Sequence, residues 1–114
     1  MHKVETSHLI AEIEADFDVL DDLRFLERTC ETACRKANAT IVTKSSIAFA
    51  PQGCTVLYML SESHLSIHTW PERGTAAIDI FTCGDHTDPY KAYKWMLEEL
   101  QATERGYQFI RRPV

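Results

Sequence analysis

The stretch that decides the fold runs from residue 61 to residue 72 and is Ser-Glu-Ser-His-Leu-Ser-Ile-His-Thr-Trp-Pro-Glu. It follows an apolar run at 56–60 that has the composition of a buried strand. Beyond the run, alternation with a period of two predicts a second strand with one apolar and one polar face. The apolar face carries Leu65, Ile67 and Thr69, and the polar face carries His64, Ser66, His68 and Trp70. The polar face is typical either of a solvated antiparallel strand or of a site that uses hydroxyl and imidazole groups.

The rest of the chain supplies the other layers of this fold. The patterns predict strands over 4–15, from 40 to about 50, over 54–62, 64–70 and 75–83, and a short last strand at 105–110. Helices are predicted after an acidic turn at 16–22, ending near Ala37, and from Asp88-Pro89 onward. This order predicts an α+β fold, a two-layer α/β sandwich with a mainly antiparallel sheet and two helices on one face. The other face would then be covered by a partner subunit or would hold a substrate.

The composition of the whole chain excludes several classes of function. With 114 residues, 45% hydrophobic and 25% charged, the chain is expected to form a single domain over 1–114. A net charge of −5, without a long basic cluster, argues against a nucleic-acid partner. No apolar run approaches the ~20 residues of a membrane span, and no secretory signal precedes the first strand. We therefore expect a cytoplasmic protein without a membrane partner, and a chain this short makes an oligomer plausible.

The four cysteines do not form a metal-binding pattern. Cys30 and Cys34 fall on the apolar stripe of the predicted helix, and we interpret them and Cys54 as core thiols. No C-x-x-C pair occurs, and the histidines lack zinc-ligand spacing relative to the cysteines. The sequence therefore predicts no metal site and, in a reducing compartment, free thiols.

Two blocks of sequence carry a family resemblance. Glu-Ser-His-Leu-Ser-Ile-His-Thr-Trp-Pro-Glu at 62–72, followed by Ala-Ala-Ile-Asp-Ile-Phe-Thr-Cys-Gly at 76–84, resembles the prokaryotic S-adenosylmethionine decarboxylases. These are pyruvoyl-dependent enzymes made as proenzymes. His-Leu-Ile-Ala-Glu at 8–12 resembles the family's first strand and Asp88-Pro89 the start of its last helix, so the resemblance covers nearly the whole chain. It implies a decarboxylase that acts on S-adenosylmethionine for spermidine and polyamine synthesis.

The resemblance implies that the chain cleaves itself. The Ser63 hydroxyl would attack the carbonyl of Glu62, and elimination would leave chains of residues 1–62 and 63–114, with a pyruvoyl cofactor derived from Ser63. His68 would act as the proton shuttle of this processing, together with the hydroxyl of Thr55, where the family usually has serine. Threonine keeps the hydroxyl but is stiffer at χ1.

The resemblance also implies roles in turnover. The pyruvoyl carbonyl would hold the substrate amine as a Schiff base, and Cys83 would protonate the carbon that loses carbon dioxide. Phe49 and His68 would flank the adenine, Trp70 would help to line the pocket, and Glu72 would bind the ribose. In the family these groups come partly from a second subunit, so a homodimer of processed chains with shared active sites is implied. His64 is expected to pack or form hydrogen bonds without a catalytic role.

Some positions depart from the family pattern and leave alternatives open. They are Ile47-Ala48 before the phenylalanine, Cys54 and Val56 around Thr55, and Thr6-Ser7 before the first-strand histidine. Such changes could mark a pocket reshaped for arginine or ornithine, which related pyruvoyl enzymes on this scaffold decarboxylate. A non-catalytic subunit that regulates an active homologue is a third hypothesis, and it requires that Ser63 never cleaves.

Overall fold

The computed structural model describes residues 5–114. Its elements are β1 (Thr6–Glu14), α1 (Phe17–Leu20), α2 (Leu23–Lys36), β2 (Ile41–Ala48), β3 (Cys54–Leu60), β4 (Ser63–Trp70), β5 (Thr75–Cys83), α3 (Pro89–Glu99) and β6 (Thr103–Arg111), with one 3-10 turn at Pro71–Arg73. The predicted order of strands and helices is confirmed. The acidic turn at 16–22 contains the short helix α1, and β6 is longer than the sequence indicated. Residue 4 of the predicted first strand lies outside the described residues.

The two long helices begin where the sequence places their caps. The Asp22 carboxylate accepts a hydrogen bond from the Phe25 amide at 3.1 Å, and the Asp88 carboxylate accepts one from the Tyr90 amide at 3.0 Å. Pro89 follows Asp88 as the first helical residue, where its missing N–H would have had no helical partner. Each cap satisfies amide groups that the first turn leaves without a partner, and this fixes where α2 and α3 start.

The sheet has six strands in the order β2-β3-β4-β5-β1-β6, and every neighbouring pair is antiparallel. Strands β2 to β5 form a meander, and β1 inserts between β5 and β6. The core lies between the sheet and helices α2 and α3, and its largest side chains include Leu9, Tyr58, Ile67, Ile78 and Met96, all buried. Cys30, Cys34 and Cys54 are buried in this core as free thiols, as predicted. The predicted two-layer α+β fold is confirmed.

The opposite face of the sheet, here called the open face, is not covered by any element of the described chain. Period-two alternation directs Leu65, Ile67 and Thr69 of β4 into the core, whereas His68 and Trp70 are exposed. Three apolar side chains of β2 and β3 lie on the same open face, with exposed fractions of 50% for Ile47, 39% for Leu57 and 52% for Met59. Among residues 5–114, no helix combines the length and apolar character needed to cross a membrane.

Candidate active site on the open face of the sheet

The turn between β3 and β4 carries the most unusual backbone in the region. Leu60 pairs with Ser63, so that Ser61 and Glu62 form a two-residue turn. Ser63 follows with a φ of 139°, a conformation that non-glycine residues rarely adopt. Such a conformation costs about 1–3 kcal/mol and persists only where the surrounding structure imposes it. The strain therefore falls directly beside the Glu62–Ser63 peptide bond.

The Glu62 side chain anchors this turn from within the fold. It is only 7% exposed, and its Oε1 accepts a hydrogen bond from the Thr40 amide at 2.9 Å. The Nε2 of His86, in the loop between β5 and α3, donates to Oε2 at 2.8 Å. The Thr40 amide, and to a lesser degree His86, lower the pKa of Glu62, and burial opposes them only in part. Glu62 therefore remains a carboxylate at neutral pH, and both of its oxygens are bound.

Thr55 and His68 are a cross-strand pair on β3 and β4, and both side chains reach the open face. The Thr55 Oγ1 lies 3.0 Å from the His68 Nδ1, which is hydrogen-bond distance. A depression of about 360 Å³ connects this pair to the turn. It is lined by Thr55, Leu57, Met59, Ser63, His64, Ser66 and His68. We call it the serine depression, because Ser63 lines it together with a hydroxyl and an imidazole.

A second depression of about 340 Å³ adjoins the first. Its walls are formed by Phe49, Gln52, Gly53, Cys54, Thr55, His68, Thr69, Trp70 and Glu72. We call it the aromatic depression. Phe49, Trp70 and Glu72, nominated together for a nucleoside, line one cavity although Phe49 follows β2 and the other two lie at the end of β4 and in the turn directly after it. Thr55 and His68 line both depressions, so the two cavities meet at this pair.

Cys83, like Glu62, is a nominated residue that lines neither depression. It is the last residue of β5 and pairs with Thr6 of β1, and its side chain is partly exposed. Phe81, two residues earlier on the same face, pairs with His64 of β4. The thiol is therefore at the Ser63 end of the sheet, on the open face.

A polar cluster beside Phe81 was only partly visible in the sequence. His8 donates through Nε2 to Asp79 Oδ1 at 2.6 Å, and the Nε2 of His64 lies 3.4 Å from the same oxygen. Arg112 donates to the Nδ1 of His8 at 3.3 Å and lies over the Phe81 ring at 4.8 Å. Because an arginine can only donate, the contact assigns Nδ1 as the accepting nitrogen of His8 and Nε2 as the donating one. His64 contacts Asp79 in this cluster, and the non-catalytic role expected for it stays a prediction.

The structure corrects one line of reasoning about the substrate. Cys54 and Val56 depart from the family pattern at positions that were expected to approach the substrate. Val56 is fully inaccessible in the core on the helix side and lines neither depression, so it gives no support to a different substrate. Cys54 is buried as well, but it lines the aromatic depression. Ile47 does lie on the open face, paired with Thr55.

The site residue that the sequence analysis missed is His86. Its partner Glu62 is 24 residues away, and no local pattern around 84–88 distinguishes it from an exposed loop residue. Within residues 5–114, no group of three or more histidine, cysteine, aspartate or glutamate side chains is arranged to hold a metal ion. The nominated side chains with reactive groups offer hydroxyl, imidazole, thiol and carboxylate functions.

Comparison with known proteins gives one consistent family. The family model described as S-adenosylmethionine decarboxylase matches residues 7–113. The S-adenosylmethionine decarboxylase proenzyme of Synechococcus sp. (strain WH7803) is 51% identical over 106 residues, which cover 92% of this chain and 83% of that protein. The proenzyme of the same name from Thermotoga petrophila is 47% identical over 96 residues, covering 83% of this chain and 74% of that protein.

A solved structure agrees with the sequence relatives. The crystal structure of the adenosylmethionine decarboxylase from Aquifex aeolicus superposes with a TM-score of 0.83 at 31% identity. The match covers 97% of this chain and 91% of that one. The chain therefore belongs to the S-adenosylmethionine decarboxylase family.

Proposed function

We propose that this chain is a proenzyme that cleaves itself between Glu62 and Ser63, and that the processed protein decarboxylates S-adenosylmethionine for polyamine synthesis. The observation that carries the proposal is the position of Ser63. Its backbone is strained at a φ of 139°, and it lines the serine depression together with the hydrogen-bonded Thr55–His68 pair. Family membership supports the same reading, since the relatives are named proenzymes.

The self-cleavage uses only atoms of the chain and one water. The Ser63 Oγ adds to the Glu62 carbonyl carbon, the C–N bond breaks, and the nitrogen takes a proton to become the free amine of an ester. A base then removes the Ser63 α-proton, and the Cβ–Oγ bond breaks to release Glu62 as a carboxylate. The remaining dehydroalanine tautomerises to an imine, and water converts it to the pyruvoyl group with release of ammonia. The products are residues 1–62 and 63–114.

Thr55 and His68 are suited to this reaction by position. An acyl transfer of this kind needs a donor for the oxygen that becomes negative and a group that carries protons. The Thr55 hydroxyl and the His68 imidazole, 3.0 Å apart, supply both in the depression that Ser63 lines. Relief of the Ser63 backbone strain when the peptide bond becomes an ester lowers the barrier further.

A pyruvoyl group at residue 63 would supply an electrophilic carbonyl that withdraws electrons from the substrate carbon as carbon dioxide leaves. The residues around it fit such a group, because residue 63 opens onto a cavity whose polar groups are hydroxyls and imidazoles. Cys83, partly exposed at the same end of the sheet, is the proton donor that we assign to the carbon after decarboxylation. Its thiol carries an exchangeable proton.

The aromatic depression supports an adenosyl substrate over arginine or ornithine. Phe49, Trp70 and the His68 ring offer flat surfaces on which adenine stacks, and Glu72 offers the ribose hydroxyls a carboxylate. Glu72 is also the one carboxylate among the residues lining this depression. Ornithine has no planar group that could stack on these walls, and the guanidinium of arginine, although it can stack on a ring, covers less of it than adenine does.

The open face supports a homodimer of processed chains with shared active sites. Ile47, Leu57 and Met59 leave an apolar patch next to the serine depression, where a second subunit would cover both the patch and the site. Light scattering of the processed protein would then give twice the mass of one 1–62 and 63–114 pair.

The proposal is tested by mass and by turnover. Intact-mass spectrometry of the purified protein should give two fragments, the larger ending at Glu62, and Ser63→Ala should give one uncleaved chain. Carbon dioxide release is then measured with S-adenosylmethionine, arginine and ornithine in parallel, and we expect S-adenosylmethionine to be the best substrate. A wild-type chain that stays uncleaved on prolonged incubation at neutral pH would favour the regulatory alternative.

A further inference from the structure

The Glu62–His86 contact crosses the bond that self-cleavage would break. Glu62 is the last residue of the first product and His86 belongs to the second, and their side chains meet at 2.8 Å. The other Glu62 oxygen is bound by the amide of Thr40, the residue directly before β2. One carboxylate therefore ties the turn both to its own product chain and to the chain that carries Ser63.

The loop that presents His86 is itself held in place. The His86 carbonyl accepts a hydrogen bond from the Asn38 side-chain amide at 3.0 Å, and the Asp88 amide donates to the Ala37 carbonyl at 2.9 Å. Gly84 has a φ of 94°, and a Cβ added there would lie 2.9 Å from the His86 ring. The imidazole thus lies directly against the glycine backbone, with Nε2 towards Glu62. Although His86 is exposed, its ring has a defined place.

From this geometry we infer that His86 is a positioning residue for self-processing, an inference that rests on the proposed function. Attack of Ser63 on its own preceding carbonyl requires the Glu62 peptide group to stay in one orientation, within reach of the hydroxyl. A two-residue turn with only one anchored oxygen can rotate, and rotation would relax Ser63 out of its strained φ. The His86 hydrogen bond holds the second carboxylate oxygen and so restricts that rotation.

The role is confined to the proenzyme. After cleavage the Glu62–Ser63 peptide bond no longer exists, so its orientation cannot affect decarboxylation. The Glu62–His86 contact then joins two separate chains and helps to retain the new carboxyl terminus of residues 1–62. His86 substitutions should accordingly slow the formation of the pyruvoyl enzyme and leave its turnover unchanged.

The test follows cleavage and turnover separately. Wild type, His86→Ala and His86→Gln are made by cell-free synthesis, and the uncleaved fraction is followed by intact mass. We expect His86→Ala to cleave about three- to tenfold more slowly, the range for loss of one partly exposed charged hydrogen bond. His86→Gln should restore most of the rate, because its amide can donate from the position of Nε2. Turnover per pyruvoyl group should equal that of wild type in every variant.

Two further variants make the result decisive. Thr87→Val removes hydrogen bonds to the Cys83 and Gly84 carbonyls in the same loop and leaves the Glu62 contact, so it should cleave at the wild-type rate. Asn38→Gly keeps the positive φ of residue 38 and removes the donor to the His86 carbonyl. It should cleave slowly even if His86→Ala proves insoluble.

Two results would overturn the assignment of His86. One is cleavage of His86→Ala at the wild-type rate, or of Asn38→Gly if the alanine variant is insoluble. The other is equal slowing by Thr87→Val. An uncleaved wild type would instead refute the proposed function itself.

Discussion

Replacing Thr55 with valine removes one hydroxyl and almost nothing else. Valine has the shape of threonine and the same preference for strands, so β3 should keep its pairing with β4. The change deletes the partner of the His68 Nδ1, 3.0 Å away, and the only hydroxyl that β3 places in the serine depression. We expect the Thr55→Val chain to fold normally and to cleave far more slowly.

The size of the loss separates two roles for the hydroxyl. If Thr55 only orients the His68 ring, the loss is one ordinary hydrogen bond, about 0.5–1.5 kcal/mol, and cleavage slows roughly two- to tenfold. If the hydroxyl donates to the developing oxyanion or carries a proton, the loss is about 10²- to 10³-fold. Because Thr55 lines the same cavity as Ser63, we expect the larger value.

The assay is a time course of the uncleaved chain after cell-free synthesis, read by intact mass. Thr55→Ser is the matched control, since it retains the hydroxyl and loses only the γ-methyl group, and we expect its rate to remain within about threefold of wild type. A Thr55→Val rate within about tenfold of wild type would refute a chemical role for the hydroxyl. Equal losses in the serine and valine variants would show that side-chain shape, and not the hydroxyl, matters.

Three other predictions concern later steps and stability. Cys83→Ala should cleave at the wild-type rate but release carbon dioxide about 10²- to 10⁴-fold more slowly per pyruvoyl group, and normal turnover would make the thiol structural. The Phe49→Ala and Glu72→Gln chains should cleave normally, and both should have a raised KM for S-adenosylmethionine. For Phe49→Ala the increase is roughly 5- to 150-fold if a stacking energy of about 1–3 kcal/mol is lost. In the folded protein the Thr40 amide lowers the pKa of Glu62 below its usual 4.5. The ionised carboxylate therefore stabilises the fold at higher pH, and this contribution is lost as the pH falls through the lowered pKa. In the uncleaved Ser63→Ala background, Glu62→Gln should therefore flatten the fall in melting temperature below about pH 5, and parallel curves would contradict the effect.

The sequence predicted those features that depend on local periodicity. The two faces of β4 follow from alternation alone, since the buried position of Ile67 and the exposed position of His68 differ by one residue. The helix starts follow from Asp22 and Asp88, whose carboxylates cap amides within three residues of themselves. In each case the interacting residues lie within one helical turn or one pleat of each other, so a short stretch of sequence is enough to predict the structure.

The features that could not be predicted depend on contacts between distant segments. Glu62 meets Thr40 and His86, which are 22 and 24 residues away, and nothing around either of them indicates the pairing. The insertion of β1 between β5 and β6 brings His8 beside Asp79, 71 residues away. The φ of Ser63 has the same origin, because a strained residue is imposed by its surroundings and not by its own preferences.

Because the two depressions share His68, a substitution of this residue affects more than one step. His68 lines both cavities, its Nδ1 is fixed by Thr55, and its Nε2 has no hydrogen-bond partner among residues 5–114. The same ring can therefore carry a proton before cleavage and form part of the nucleoside wall afterwards. Loss of overall activity in His68→Ala would then mix two effects. Thr55→Val instead disturbs the anchor of the ring, and Phe49→Ala disturbs another part of the aromatic depression. If His68 serves in both cleavage and nucleoside binding, His68→Ala should combine the slow cleavage of Thr55→Val with the raised KM of Phe49→Ala.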